Sequence, residues 1–335
     1  RWGGTQTMRK TTVKNRAFSA LLTAITALSV SCQTLRIEDG LGQAFASPEA
    51  AGQSLVAALK SSDNETAARI LGPGSEAVLT SGDPVMDENQ LDRFVALYEQ
   101  QNTWIAWNDD VAVLEIGDDH WPFPIPLINR ESGWFDRKTV WRFDIAQGIQ
   151  ELLNRRIGKN ELSTIQACLA FVDAEREYYR RNPQNHSTPE YASLILSSKN
   201  LKDGLYWPTA EDEAPSPLGP IYAAARSRGY KPTQKGGKPF GGYFYRILLR
   251  QGASAPGGAL DYIEGDAMTE GFGLLAYPAG YGTSGVMSFL VNHIGLVYEK
   301  DLGPETEKKV ASMESFDPDG SWALVPAQAL VLPSD

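Results

Sequence analysis

Cysteine and histidine are scarce in this 335-residue chain, with two and three copies. His120, His186 and His293 stand apart from one another and form no H-x-x-x-H pair, so no zinc site is signalled. Only Cys168 falls inside the expected folded body, where it lies near the apolar stripe of a helix and reads as a buried structural thiol. With no second cysteine there to pair with, burial of apolar surface has to hold the fold together. A hydrophobic content of 42% makes that feasible. No P-loop and no G-x-S-x-G is present, so the corresponding nucleotide-binding and serine-hydrolase classes lose their usual signature. Gly271-Phe-Gly273-Leu-Leu-Ala276 matches G-x-G-x-x-A in form only, because it sits in a strand with no helix after it. Asp317-Pro-Asp319-Gly320 lacks the later ligands of a calcium loop and reads as a turn. After the first 31 residues, no apolar run is long enough for a transmembrane helix.

What is there begins with a basic segment from Met8 to Arg16, followed by an uncharged, mostly apolar run from Ala17 to Ser31 and then Cys32. This is the layout of a secretory signal. Residues 1–7, ahead of Met8, are expected to be upstream reading frame or tag. Two cleavage sites compete. Leu28-Ser-Val-Ser-Cys32 resembles a relaxed lipoprotein site that would leave Cys32 acylated, and Ala44-Phe-Ala46 is an A-x-A site. Cys32 is favoured, because Ser47-Pro48-Glu49 reads as the capped start of a helix with Phe45 at its entrance. The expected location is outside the cytoplasm, as a periplasmic or outer-membrane lipoprotein that touches membrane only through its lipid. The leader carries five basic residues and no acid, so the remainder holds 26 basic and 41 acidic residues, a net charge of −15. Such a surface argues against nucleic acid. No cofactor is expected, and the partner is expected to be an envelope protein or an extracellular ligand.

The pattern along the chain predicts an α+β protein. A first unit over 47–158 has helices at 48–60 and 64–71, a third capped by Asp87, and then strands at 111–116 and 140–143 in a short curved sheet. Three alternating prolines between Trp121 and Leu127 favour an extended path or edge strand. A helix from Ile145 is expected to break at Gly158, and Asn160 to cap a longer one reaching about Arg181. That long helix opens a second unit, 159–325, in which it packs on a four-stranded antiparallel meander at 243–250, 272–277, 286–292 and 296–300. The segments 208–220 and 233–239 read as surface loops.

Two constellations carry candidate chemistry. Arg155, Arg156 and Lys159 lie beside the helix start expected at Asn160, where backbone N–H groups and the helix dipole could hold an anion. The plainer alternative, preferred here, has the two arginines pairing with acids across the junction of the units. Tyr206 and Trp207, together with Trp121, Phe123 and Tyr281, could form a stacking surface for sugars or extended peptides. A packed loop core is the plainer alternative for these. Asp118 and Asp119 could serve as an acid/base pair, but adjacent acids after Gly117 more often form a solvated turn.

Several segments together carry a resemblance. Phe45-Ala-Ser-Pro-Glu49, Ser81-Gly-Asp-Pro84, Trp121-Pro-Phe-Pro-Ile-Pro126, Asn154-Arg-Arg-Ile-Gly158, Asp203-Gly-Leu-Tyr-Trp207 and Val297-Tyr-Glu-Lys-Asp-Leu-Gly303 resemble the exported bacterial family DUF 2950. The resemblance covers about residues 45–322 and implies an envelope protein, with no catalytic residues to transfer. The chain departs from the family pattern at Gly133-Trp-Phe-Asp-Arg-Lys-Thr-Val-Trp-Arg-Phe-Asp144, which looks lengthened by a turn insertion. Two likenesses concern parts only. The long helix with its meander looks like a type IV pilin-like head, and the early helices with their sheet look like an NTF-two-like cone. Taken together, a non-catalytic binding protein of the envelope is expected. The alternatives are a periplasmic hydrolase acting on cell-wall or sugar substrates through Asp118, Asp119 or Asp203, and a pilin-like structural component.

Overall fold

The first two helices of the first segment start where expected in the computed structural model, which describes residues 41–132, 138–231 and 238–326. The signal segment, Cys32 and most of the expected turn insertion and of the 233–239 loop lie outside the described residues. Helix α1 (Pro48–Lys60) starts at Ser47, whose hydroxyl accepts from Ala50 N at 3.2 Å. Helix α2 (Asn64–Leu71) starts at Asp63, which accepts from Thr66 N at 2.9 Å, and it stops at Gly72. A single turn, α3 (Glu76–Leu79), leads to α4 (Pro84–Gln100). The cap of α4 is Asp83 and not Asp87, because Pro84 already has the fixed φ of a first helical position. Asp87 turns back instead and accepts from Ser81, with Oγ to Oδ1 at 2.6 Å.

The first sheet has β1 (Asn102–Asn108), β2 (Val111–Ile116), β3 (Trp121–Pro122), β4 (Leu127–Ser132) and β5 (Lys138–Phe143). Its order is β1-β2-β4-β5, with β3 also on β2, and every pairing is antiparallel. The proline run therefore enters as a two-residue strand and then bends at Pro124 and Ile125 before β4. Strands β1 and β4 were not foreseen; β1 is exposed almost throughout and shows no apolar alternation. The sheet curls over α1, α2 and α4, bringing Trp104 of β1 within 6.5 Å of Phe143 of β5. Leu55, Ile70, Leu114, Ile116, Leu127 and Phe143 fill the space between.

Helix α5 (Ile145–Arg181) is one uninterrupted helix of 37 residues, ~55 Å long. The expected break at Gly158 and cap at Asn160 do not occur. One glycine costs only ~1 kcal/mol in a helix interior, and packing on both sides of it outweighs that. Its first turns bury Ile145 against the first core, with Ile149 and Leu152 packed alongside. Ile165, Cys168, Phe171, Val172 and Tyr178 bury against a second core. The boundary expected between residues 158 and 159 thus lies inside α5. The helix ends at Asn182, which takes up a left-handed conformation.

After α5 come the parallel pair β6 (Leu194–Leu196) and β7 (Gly204–Tyr206), then α6 (Gly219–Ser227). The meander uses β8 (Tyr243–Leu248). Small ladders follow, formed by β9 (Arg250–Gln251) with β10 (Leu260–Asp261) and by β11 (Ile263–Glu264) with β12 (Ala267–Met268). It continues with β13 (Gly273–Pro278), β14 (Met287–Asn292) and β15 (Val297–Asp301). After α7 (Thr306–Ala311), β16 (Ala323–Leu324) adds a fifth strand, giving the antiparallel order β16-β15-β14-β13-β8. Leu274, Ala276, Phe289 and Val291 belong to the cluster under α5, whereas Leu248, Leu275 and Leu290 join Val310 and Phe316 in a third cluster. The alternation of strand side chains accounts for the division.

Candidate functional site

Because α5 does not restart at Asn160, the cations before it have no helix N-terminus beside them. Arg155 is on the surface, where its Nε donates to Glu151 at 2.7 Å and its guanidinium lies 5.5 Å from the Trp121 ring centre. Arg156 points inward and donates to the carbonyls of Ala77, at 2.9 Å, and Val78. Burial lowers its pKa, while Asp87 acts in the opposite direction. Lys159 is exposed. The three cations diverge, and the backbone N–H groups between them are used up in helix hydrogen bonds. Arg156 ties α5 to α3 through backbone carbonyls, not through acids across the 158 boundary.

Other polar groups make the long-range connections. Asn160 is buried and donates to Ser284 O at 2.8 Å. Glu161 Oε1 accepts from Val286 N and Met287 N, each at 2.9 Å. Asp83 Oδ1 caps α4, and its Oδ2 accepts from the Tyr230 hydroxyl at 2.7 Å and from Gly242 N at 2.9 Å. Burial, with Asp83 second, pushes the Tyr230 hydroxyl up. The only sequence signal for this lock was the Ser81-Gly-Asp-Pro84 segment; its partners lie some 150 residues away.

The aromatic residues do not share one face. Phe123 is buried 5.0 Å from the Phe94 ring, and half-exposed Trp121 lies 6.3 Å from it. Tyr206 stacks on Tyr222 at 4.1 Å, and Trp207 stands edge-on to Tyr178 at 6.4 Å, both against the far half of α5. Tyr281 is on the β13–β14 loop, and its hydroxyl donates to Asp301 at 3.3 Å. The acids are equally dispersed. Asp203 accepts from Ser198 N at 2.7 Å, and Asp118 accepts from Gln100 in an exposed turn. Asp203 lies beside Tyr178, whose place on α5 is more than six turns, ~35 Å, from Arg155.

The last turns of α5 assemble what the sequence did not indicate. Asp173, Arg176, Glu177, Tyr179, Arg180 and Tyr191 line an open groove of about 450 Å³. Tyr179 and Tyr191 stack with ring centres 4.7 Å apart, and Tyr191 also sets its ring against Phe272 at 4.9 Å. Arg176 is fixed by donation to His293 O at 3.0 Å. Arg180 donates Nε to Arg176 O at 3.2 Å and has no carboxylate partner among the described residues. On the buried side of the same turns, Glu175 is fully enclosed. Its Oε2 accepts from Ala192 N at 2.9 Å, and its Oε1 has no partner among the described residues. Burial raises this carboxyl well above its ordinary value, against the lowering effect of the Ala192 N–H. Burial likewise pushes the Cys168 thiol up to about 12. His293 Nδ1 is buried without a partner among the described residues, and burial, then Arg176, lowers its pKa.

Among the described residues no three His, Cys, Asp or Glu side chains are placed to hold a metal ion, and no helix is long and apolar enough to cross a membrane. The family model described as a protein of unknown function, DUF2950, matches residues 42–325. The chain belongs to the DUF2950 family. No curated protein and no solved structure matches it. In this DUF2950 chain every segment that carried the resemblance falls inside the matched span.

Proposed function

We propose that this DUF2950 protein is exported to the cell envelope, anchored there through lipid on Cys32, and binds an extended peptide segment without catalysing a reaction. The Tyr179–Tyr191 stack carries the proposal. Two stacked rings, one of them, Tyr191, held against Phe272, offer an apolar face beside a fixed arginine, Arg176, and beside Arg180, which has no acid on it among the described residues. Rigid aromatic faces contribute contact area at little entropic cost. An arginine fork beside them suits a carboxylate. On the rim, Glu177 is already paired with Arg181, and Asp173 lies 3.8 Å from Arg176.

Binding is tested by calorimetry of the full chain against a set of short acidic and neutral peptides. Acidic peptides should bind, and Tyr191→Ala and Arg180→Ala should each weaken them at least ~10-fold, about 1.4 kcal/mol, with melting unchanged for Arg180→Ala. Equal affinity in both variants, or no peptide binding at all, would remove this groove from the function. Export is tested separately by fatty-acid labelling in cells. Labelling and membrane association should disappear in Cys32→Ala.

A further inference from the structure

The last described residues leave the second sheet close to the Tyr179–Tyr191 groove. Val325 is buried and its N–H donates to Val297 O at 2.9 Å, after which Pro326 is exposed. Running antiparallel to β15, the chain heads toward the turn between β14 and β15. That turn adjoins the groove, because Arg176 Nη2 donates to His293 O at 3.0 Å and to Ile294 O at 3.4 Å. Three residues separate Val297 from Ile294, so Val325 lies within ~20 Å of the Arg176 guanidinium. The turn presents two large apolar side chains to solvent, Ile294 at 45% and Leu296 at 39%. Arg176 thus stands between this apolar turn and the ring stack.

The sequence after Pro326 is Ala-Gln-Ala-Leu-Val-Leu-Pro-Ser-Asp, residues 327–335, which lie outside the described residues. We propose that this segment occupies the groove, with Leu330 and Leu332 on the apolar turn and ring stack and Asp335 at Arg180, and so competes with any peptide from outside. This rests on the groove being a peptide site. Reach allows it, since nine residues span up to ~30 Å, more than the ~20 Å from Val325 to Arg176. Charge favours it. The segment has one acid and no base, and Arg180 has no carboxylate partner among the described residues. Its apolar run, Ala329 to Leu332, suits a surface of aromatic and aliphatic side chains. Pro333 biases Leu332 toward extended backbone, the form in which peptides lie along a groove. Tethering raises the local concentration of such a segment to roughly the millimolar range, so weak contacts suffice to hold it.

The test uses the full chain and two readouts. Hydrogen exchange follows the segment directly. Its amides should exchange at least ~10-fold more slowly than those of an unstructured chain, and Arg180→Ala should remove that protection. Leu330→Ser combined with Leu332→Ser should remove it too. Calorimetry follows the competition. The acidic peptides should bind the doubly substituted chain at least ~10-fold more tightly than the natural one. Amides of 327–335 that exchange at unstructured rates in the natural chain overturn the proposal. So does protection that persists in both Arg180→Ala and Tyr191→Ala, which would place the segment elsewhere. Equal peptide affinity with and without the two leucines overturns it as well, while leaving the peptide site standing. If neither chain binds peptide but Arg180→Ala releases a protected segment, the outside-peptide reading falls and the segment remains the groove's occupant.

Discussion

The two sheets of this protein are treated differently by the rest of the chain. The second sheet is covered on both faces, by α5 on one side and by the Val310–Phe316 cluster on the other, so successive residues in β13 and β14 are buried. Among the described residues, the first sheet is lined by helices on its concave side alone. Its second strand alternates between buried and half-exposed residues, and β1 is exposed almost throughout. Stability should therefore concentrate in the second sheet, not at the edge of the first. Helix α5 belongs to both, which makes its middle turns the place where the two regions are coupled.

The sharpest way to break this contrast is a pair of truncations. Phe289→Ala in β14 should cost ~3–5 kcal/mol in urea unfolding, because the ring is fully buried between α5 and the sheet. Ile105→Ala in β1 should stay within ~0.5 kcal/mol. Comparable losses at the two sites would end the distinction.

Next comes the lock between the regions. Asp83→Ala removes the α4 cap and leaves the Tyr230 hydroxyl and Gly242 N without their acceptor. A loss of ~2–4 kcal/mol is expected, read as a lower denaturation midpoint. Val85→Ala, a half-buried position in the same helix, should cost clearly less.

Glu175 sharpens the comparison by pH. Its folded carboxyl titrates above the ordinary value near 4.5, so the native state binds more protons than the unfolded state over that window. Stability is then full below the ordinary carboxyl value and falls as pH rises through the folded one, by up to ~1.4 kcal/mol per pH unit. Glu175→Gln should flatten that slope in pH-dependent unfolding curves. A slope unchanged by the substitution would show that the carboxyl is not raised in the folded state.

The smallest expected effect is at the middle of α5. A Cβ at Gly158 meets nothing within 4 Å, and the residue is helical. Gly158→Ala should raise stability by ~0.5–1 kcal/mol. A loss would return Gly158 to the role of helix breaker.

Much of the local structure was legible in the chain. Ser47-Pro48, Asp63 and Gly72 act where their cap chemistry indicates, and the four meander strands lie close to where their apolar runs predict. Gly158 misled because helix punctuation is a weak local preference, overruled when the helix is anchored in a core towards each end. For Arg155 and Arg156 the sequence left the roles open. Neighbouring residues on a helix point about 100° apart, and only the place of α3 decides that Arg156 is the one drawn inward. The groove at Tyr179 and Tyr191 left no motif, since its second wall comes from beyond the end of α5.

The sequence by itself determined the α+β class, the family, the first two helices, the buried thiol at Cys168 and the need to hold the folded body without a disulfide. These follow from short-range chemistry and composition, which act the same wherever the chain goes. Tertiary structure alone decided that α5 is continuous, that Asp83 joins residues some 150 positions apart, that the aromatic residues part company, and that β1 is left at an edge. Each of those depends on which distant segment arrives alongside, and a buried polar or apolar group declares a need for partners without naming them.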